Sequence, residues 1–163
     1  MKKFLVACLI LFVANVGCKK MNVGGERLCG CSPVTPPELN LVIKNSTDAD
    51  LLSDKTAAAY TKDQIQFYRK DAEGKELPLN FNIRAPFQYD NKQFKFHSLV
   101  LSLHFLDGKN DTFYLKLGTK LYQLQIALTE NKYDPDKLLI DGKEAPKDAD
   151  LAKYTHIFYL TEN

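Results

Sequence analysis

The chain has 163 residues and a formal net charge of +2, from 22 basic and 20 acidic residues. This length fits one domain with a sizeable hydrophobic core, and so small a charge gives no general electrostatic attraction to nucleic acid. Tryptophan is absent, whereas there are ten phenylalanines and eight tyrosines. Together with the many leucines and isoleucines, these aromatic residues favour β-strands.

The first eighteen residues have the three parts of a secretory signal. Lys2 and Lys3 are followed by an uncharged apolar run over residues 4–14, and a small residue, Gly17, directly precedes Cys18. The run has about eleven residues, too few to cross a bilayer core of ~30 Å at ~1.5 Å per residue. The segment is therefore predicted to direct export rather than to span a membrane.

This segment resembles a bacterial lipoprotein signal, in which the cysteine is acylated and the peptide before it is removed. Val16 and Gly17 match that pattern, and Asn15 departs from it because the pattern prefers leucine there. The resemblance implies lipidation of Cys18. Removal of 17 residues from the 163 leaves a mature chain of 146, and its side-chain charge is zero because Lys2 and Lys3 are lost. Ordinary secretion and a retained anchor are the alternatives.

Residues 18–37 are predicted to form a tether, because glycine and proline punctuate them and no apolar period develops. Acyl chains on Cys18 would hold the domain on membrane lipid. The expected location is therefore the bacterial cell envelope. The outer membrane is favoured over the inner one, and the sequence does not indicate which leaflet carries the anchor. Cys29 and Cys31 have C-x-C spacing. A disulfide between them and two idle thiols are both open, whereas two thiols are too few for a closed zinc site.

Alternation of apolar residues predicts about eight short strands from Glu38 onward, separated by turn signals. They lie at residues 39–43, 64–68, 77–83, 94–106, 113–117, 122–128, 138–140 and 154–160. The second and third are predicted to form a hairpin, and residues 85–93 to form a loop. No long helix and no alternation of strands with helices is found. The predicted fold is therefore an all-β antiparallel sandwich of about seven to eight strands, of the immunoglobulin or transthyretin kind.

The fourth predicted strand has a slip in its alternation. Phe94 and Phe96 have one parity, and Leu99 and Leu101 have the other. A single regular strand cannot bury both sets on one face. A bulge or bend near residues 97–98 is therefore predicted.

Four short motifs are spread along the domain. They are Asn45 with Asp50-Leu51-Leu52, then Ile65 and Tyr68, then Asp111-Thr112, and finally Asp141-Gly142-Lys143. These motifs resemble those of small bacterial lipoproteins of unknown function, and the resemblance spans nearly the whole mature chain. It implies a lipoprotein with a sandwich domain, and it implies no activity.

The side chains that could ligate a metal ion are three histidines and several carboxylates. His97 and His104 lie seven residues apart in one predicted strand, about 20 Å when both face the same way, so they cannot share a metal ion. They and His156 are predicted to be surface or edge residues. Asp-x-Asp pairs occur at 48/50, 134/136 and 148/150, and Asp107, Asn110 and Asp111 share a turn. None of these stretches has the twelve-residue calcium loop, so the pairs are assigned to turns and no metal site is predicted.

The sequence contains no recognised catalytic motif. There is no nucleophile elbow, zinc-protease motif or glycine-rich phosphate loop. Carboxylates are many, but nothing distinguishes a catalytic pair among them. No enzymatic activity and no cofactor are predicted.

One predicted outer face is rich in tyrosine and amide side chains. It comprises Tyr68, Tyr114, Lys116, Gln123 and Gln125. Such a face could stack against and hydrogen-bond a sugar, and it could equally be an ordinary exposed sheet.

The sequence thus predicts a lipid-anchored envelope protein with a non-catalytic binding or structural sandwich. The alternative is a sugar- or metal-binding accessory module of an envelope uptake assembly. The expected partners are membrane lipid and an envelope protein or glycan.

Overall fold

The computed structural model describes residues 21–23, 26–28, 38–89, 91–103, 112–129, 135–151 and 155–162. The chain divides into two compact units, Met1–Thr35 and Pro36–Asn163. Several predicted residues lie outside the described part, namely Cys18, Cys29, Cys31, His104, Asp107, Asn110, Asp111 and Asp134.

The described part of the first unit is a short hairpin. Strands β1 (Met21–Val23) and β2 (Glu26–Leu28) pair antiparallel. The prediction of a tether did not include this hairpin. Three-residue strands are too short to produce a recognisable alternation of apolar residues.

The described residues of the second unit form twelve strands and one 3-10 turn, Lys62–Gln64. The strands are β3 (Glu38–Asn45), β4 (Ile65–Lys70), β5 (Glu76–Pro78), β6 (Phe81–Arg84), β7 (Phe87–Tyr89), β8 (Lys92–Phe94), β9 (Ser98–Ser102), β10 (Thr112–Leu117), β11 (Lys120–Leu128), β12 (Pro135–Ile140), β13 (Lys143–Glu144) and β14 (Ile157–Glu162). Eight of them have four residues or more, so the all-β class is confirmed. Among the described residues, no helix is long and apolar enough to span a membrane.

The strands form two main sheets and a separate hairpin. The six-stranded sheet has the order β13-β12-β11-β10-β4-β5, the four-stranded sheet has the order β14-β3-β9-β6, and β7 pairs with β8. Leu41 of β3 and Leu115 of β10 are fully buried in one hydrophobic cluster to which both sheets contribute. This shared interior confirms the sandwich.

The first and last strands of the unit are neighbours in the four-stranded sheet. β14 pairs with β3 in parallel, from Ile157 opposite Asn40 to Glu162 opposite Asn45. All other named pairs among the described strands are antiparallel. The antiparallel prediction did not include this pair, because the alternation of side chains does not indicate the direction of a neighbour.

The predicted strand over residues 77–83 is in fact two strands in different sheets. β5 pairs with β4, with Pro78 opposite Tyr68, and β6 pairs with β9, with Phe81 opposite Leu101. The single-strand prediction was therefore wrong. The alternation of apolar and polar residues continues from β5 into β6, because Leu79 and Phe81 both pack against the core that the two sheets share. The change of sheet is therefore not visible in the sequence.

The segment over residues 85–98 also differs from the prediction. It contains the β7–β8 hairpin rather than only a loop, and β8 ends at Phe94 before β9 begins at Ser98. The slip in alternation is real, and a bend at Phe96 between two strands accompanies it rather than a bulge within one strand. Phe94 packs on the outer face of the four-stranded sheet, and Leu99 packs in the shared core.

A second hydrophobic cluster covers that outer face. Its buried members are Val42, Phe94, Leu151 and Ile157, and Phe87, Phe96 and Tyr159 pack against them. This layer explains why β3 is buried from Leu39 to Ile43 instead of half-buried.

The buried amide of Asn40 lies on the same outer face of β3. Its Nδ2 donates to Thr155 Oγ1 at 2.8 Å, and Arg84 Nη1 donates to its Oδ1 at 3.1 Å. These bonds satisfy a polar group that would otherwise destabilise the sheet.

Candidate functional site

A cleft of about 340 Å³ lies on the outer face of the four-stranded sheet. Its lining comprises residues 92–96, residues 148, 150 and 151, and Tyr159; we call it the aromatic cleft. β8 and the residues after it form one wall, the loop before β14 forms the other, and Tyr159 lies on β14. Small-ligand pockets in proteins have volumes of about 300–1,000 Å³, so this cleft is large enough for a small ligand.

Aromatic rings line the apolar part of the cleft. The centroids of Phe96 and Tyr159 are 6.4 Å apart and their planes meet at 83°, and Phe94 lies 6.2 Å from Phe96. Tyr159 faces outward because its neighbours Phe158 and Leu160 face the shared core. Phe96 and Tyr159 therefore meet nearly at right angles and form the aromatic corner of the cleft. Lys44 Nζ lies 5.2 Å from the centroid of the Tyr159 ring, so part of that ring is already in contact with a neighbour.

The hydroxyl end of Tyr159 is fixed by Asp148. Tyr159 Oη donates to Asp148 Oδ2 at 2.6 Å, and Asp148 Oδ1 accepts the backbone N–H groups of Asp150 and Leu151 at 3.0 Å each. Burial and then this hydrogen bond raise the pKa of Tyr159 above its ordinary value. The ring is thus held in place, neutral, by a carboxylate that also shapes the loop.

The polar rim of the cleft carries both signs of charge. Lys92 Nζ donates to the backbone carbonyl of Asp150 at 3.1 Å and lies 3.5 Å from its carboxylate. This contact joins the two walls. The two side chains are 50% and 88% exposed, so the pair contributes little to stability and both groups can meet a ligand. Lys95 and Gln93 are also exposed.

His97 lies beside the cleft and bonds a carboxylate. Its Nδ1 is 2.8 Å from Asp50 Oδ2, its backbone N–H donates to the same oxygen at 2.7 Å, and Leu52 N–H donates to Oδ1 at 2.9 Å. Asp50 therefore organises two loop segments, which agrees with its assignment to a turn. His156 directly precedes β14, and its carbonyl accepts the Asn40 N–H at 3.1 Å. Among the described residues, no group of three His, Cys, Asp or Glu side chains could hold a metal ion.

The tyrosine face predicted from the sequence lies on the outside of the six-stranded sheet. Tyr114 is directly opposite both Tyr68 and Gln123, and Lys116 and Gln125 share this face. The rings of Tyr68 and Tyr114 stack with centroids 5.3 Å apart. The structure therefore brings the predicted residues together.

The two rings of this face are, however, largely engaged with their neighbours. Tyr68 is only 6% exposed, and Lys70 Nζ lies 4.8 Å from the centroid of the Tyr114 ring. The adjoining hollow, lined by Arg69, Lys70, Thr112 and Tyr114, measures about 190 Å³. The sequence identified the face, but it could not indicate that the rings pack against one another instead of remaining free.

Sequence reasoning missed a buried carboxylate at one end of the core. Glu162 is 7% exposed, and it accepts hydrogen bonds from the hydroxyls of Tyr60 and Tyr122 at 2.7 Å each and from Lys120 Nζ at 3.3 Å. It lies two residues beyond the end of the predicted last strand. Its position in the alternation is that of Phe158, whose side chain faces the core, and this was the one signal of its burial. We call these four residues the Glu162 cluster.

The Glu162 cluster is suited to structure rather than to catalysis. Burial, followed by the hydrogen bond to Glu162, raises the pKa of Tyr60 to about 12. The same two causes raise the pKa of Tyr122. Both hydroxyls are therefore neutral donors near pH 7, which is the opposite of an activated nucleophile.

Comparison with known proteins gives no family assignment, since no family model, curated protein or solved structure matches this chain.

Proposed function

We propose that this chain is a lipid-anchored cell-envelope protein whose sandwich is a non-catalytic binding module, with the aromatic cleft as its ligand site. The cleft is the observation that carries the proposal. It combines an apolar corner at Phe96 and Tyr159 with convergent polar groups, which is the usual composition of a small-ligand site.

The chemistry of the cleft supports binding rather than catalysis. Asp148 is committed to Tyr159 and to two backbone N–H groups, so it is poorly placed to abstract a proton from a ligand. The raised pKa of Tyr159 makes this hydroxyl a donor and not a base at neutral pH. Both groups therefore shape the cleft without reacting, and the exposed groups of the rim are left to orient a ligand.

The anchor rests on the sequence around Cys18. Each acyl methylene buried in a bilayer contributes about 0.8 kcal/mol, and two chains hold a protein stably on the membrane. A domain held in this way meets ligands at the envelope surface, where a tether lets it sample its surroundings.

The anchor is tested by intact mass spectrometry of the protein from membrane fractions, beside a Cys18→Ala variant. We expect acyl mass on the wild-type chain, with its first residue at Cys18, and a variant that moves to the soluble fraction. A wild-type chain that is soluble and unacylated would contradict the anchor. A Cys8→Ala variant is the matched control and should remain in the membrane.

A further inference from the structure

We infer that the aromatic cleft binds a neutral sugar ring. This inference rests on the proposed function, because it names the ligand class of the same cleft. It is carried by the balance of charge on the rim and by the geometry of the aromatic rings.

The rim selects against charged ligands. Lys92, Lys95, Asp148 and Asp150 all line the same opening, so the formal charges cancel. An anionic ligand would approach two carboxylates, and a cationic ligand would approach two ammonium groups. A group that both donates and accepts hydrogen bonds matches both halves of the rim, and a hydroxyl is such a group.

The aromatic corner adds the requirement for an apolar face. Phe96 and Tyr159 meet at 83°, and the C–H face of a sugar ring can pack against an aromatic ring while its hydroxyls point sideways to the rim. A wholly apolar ligand would instead remove the rim charges from water without replacing their hydrogen bonds. A polyhydroxylated ring is the class that satisfies the corner and the rim together.

Entry of such a ring requires little rearrangement. The contact of Lys92 with Asp150 spans the opening and is solvent-exposed, so ligand hydroxyls can replace it at small cost. The tyrosine face of the other sheet is less suited to this role, because Tyr68 is buried against Tyr114.

The test is isothermal titration calorimetry on the full chain, solubilised in a zwitterionic detergent that carries no sugar. The probes are hexasaccharides of glucose, xylose and N-acetylglucosamine, with hexagalacturonate and chitosan hexamer as the anionic and cationic counterparts. The buffer is mildly acidic, so that the amino groups of chitosan are protonated and hexagalacturonate is ionised. We expect at least one neutral hexasaccharide to bind, and both charged oligomers to bind at least tenfold more weakly. Absence of neutral binding across the panel, or tighter binding of a charged oligomer, would overturn the inference.

Two variants locate the site. Phe96→Ala removes half of the aromatic corner, and Lys95→Ala removes an exposed rim donor without disturbing the core; each should weaken neutral binding about tenfold or more. Tyr114→Ala and Lys70→Ala are the matched controls on the tyrosine face and should bind as the wild type does. Binding that is lost in the controls and kept in the cleft variants would overturn the inference.

Sugar binding in the cleft and acylation of Cys18 can each fail without the other. A chain that binds a neutral sugar in the cleft but is unacylated at Cys18 would contradict the anchor alone. An acylated chain that binds none of the neutral probes would contradict the sugar inference alone.

Discussion

At the residue scale, burial and, after it, the hydrogen bond to Glu162 raise the pKa of the tyrosines around this carboxylate. Tyr60 and Tyr122 each donate a hydrogen bond of 2.7 Å to it, and a tyrosinate in either place would face a buried negative charge. Such a carboxylate is retained in the core only because its neighbours satisfy it. The cluster therefore ties the end of the last strand to residues distant in sequence.

This arrangement predicts a loss of stability in alkaline solution. In the unfolded chain tyrosine ionises near pH 10, whereas in the folded chain the pKa of Tyr60 is raised to about 12. Between these values the unfolded state releases a proton that the folded state keeps, so the free energy of unfolding falls as pH rises. Below pH 10 the contribution is fully present. Urea denaturation at intervals from pH 8 to 11.5 measures the effect.

A Tyr60→Phe variant should show a shallower fall over this pH range, because it removes one of the tyrosines responsible. Gln93→Ala is the control, since it changes an exposed side chain that does not titrate, and its profile should follow the wild type. Equal slopes for wild type and Tyr60→Phe would show that the raised pKa of Tyr60 does not contribute to this fall in stability.

At the element scale, the β7–β8 hairpin is a structural layer as well as a wall of the cleft. Phe94 is 4% exposed and packs with Val42 and Ile157 on the outer face of the four-stranded sheet. Its ring also lies 5.1 Å from that of Phe87. The hairpin should therefore contribute to global stability and not fray independently.

Phe94→Ala should lower the free energy of unfolding by about 3 kcal/mol or more, because a buried ring is lost and a cavity is left. Gln93→Ala, at the exposed neighbouring position, should change it by no more than about 0.5 kcal/mol. Urea denaturation followed by circular dichroism provides both numbers. A cost below about 1 kcal/mol for Phe94→Ala would mean that the hairpin is loosely attached.

The elements also show what the sequence could predict and what it could not. The alternation of Leu39, Leu41 and Ile43 identifies a strand, because one side of it always faces the core. The same rule cannot detect the change of sheet between β5 and β6, since both sheets face one interior. Nor can it predict the aromatic cleft, because Phe96 and Tyr159 meet only after distant strands have paired.

At the scale of the whole molecule, the parallel pairing of β3 with β14 makes the last strand essential. β14 places Phe158 and Leu160 in the shared core and Ile157 in the outer cluster. It also carries Tyr159 of the cleft and Glu162 of the buried cluster. Core, cleft and Glu162 cluster therefore depend on one six-residue segment.

A chain ending at His156 should consequently fail to fold. Burial of each large apolar side chain contributes about 1.5–3 kcal/mol, so loss of three of them removes roughly 5–9 kcal/mol from a domain whose total stability is typically 5–15 kcal/mol. Circular dichroism and urea denaturation should show no cooperative transition. A chain ending at Glu162 is the matched control and should unfold as the full chain does. If the shorter chain unfolded cooperatively near the wild-type midpoint, β14 would be a peripheral strand, and the cleft that it underlies could be lost without loss of the fold.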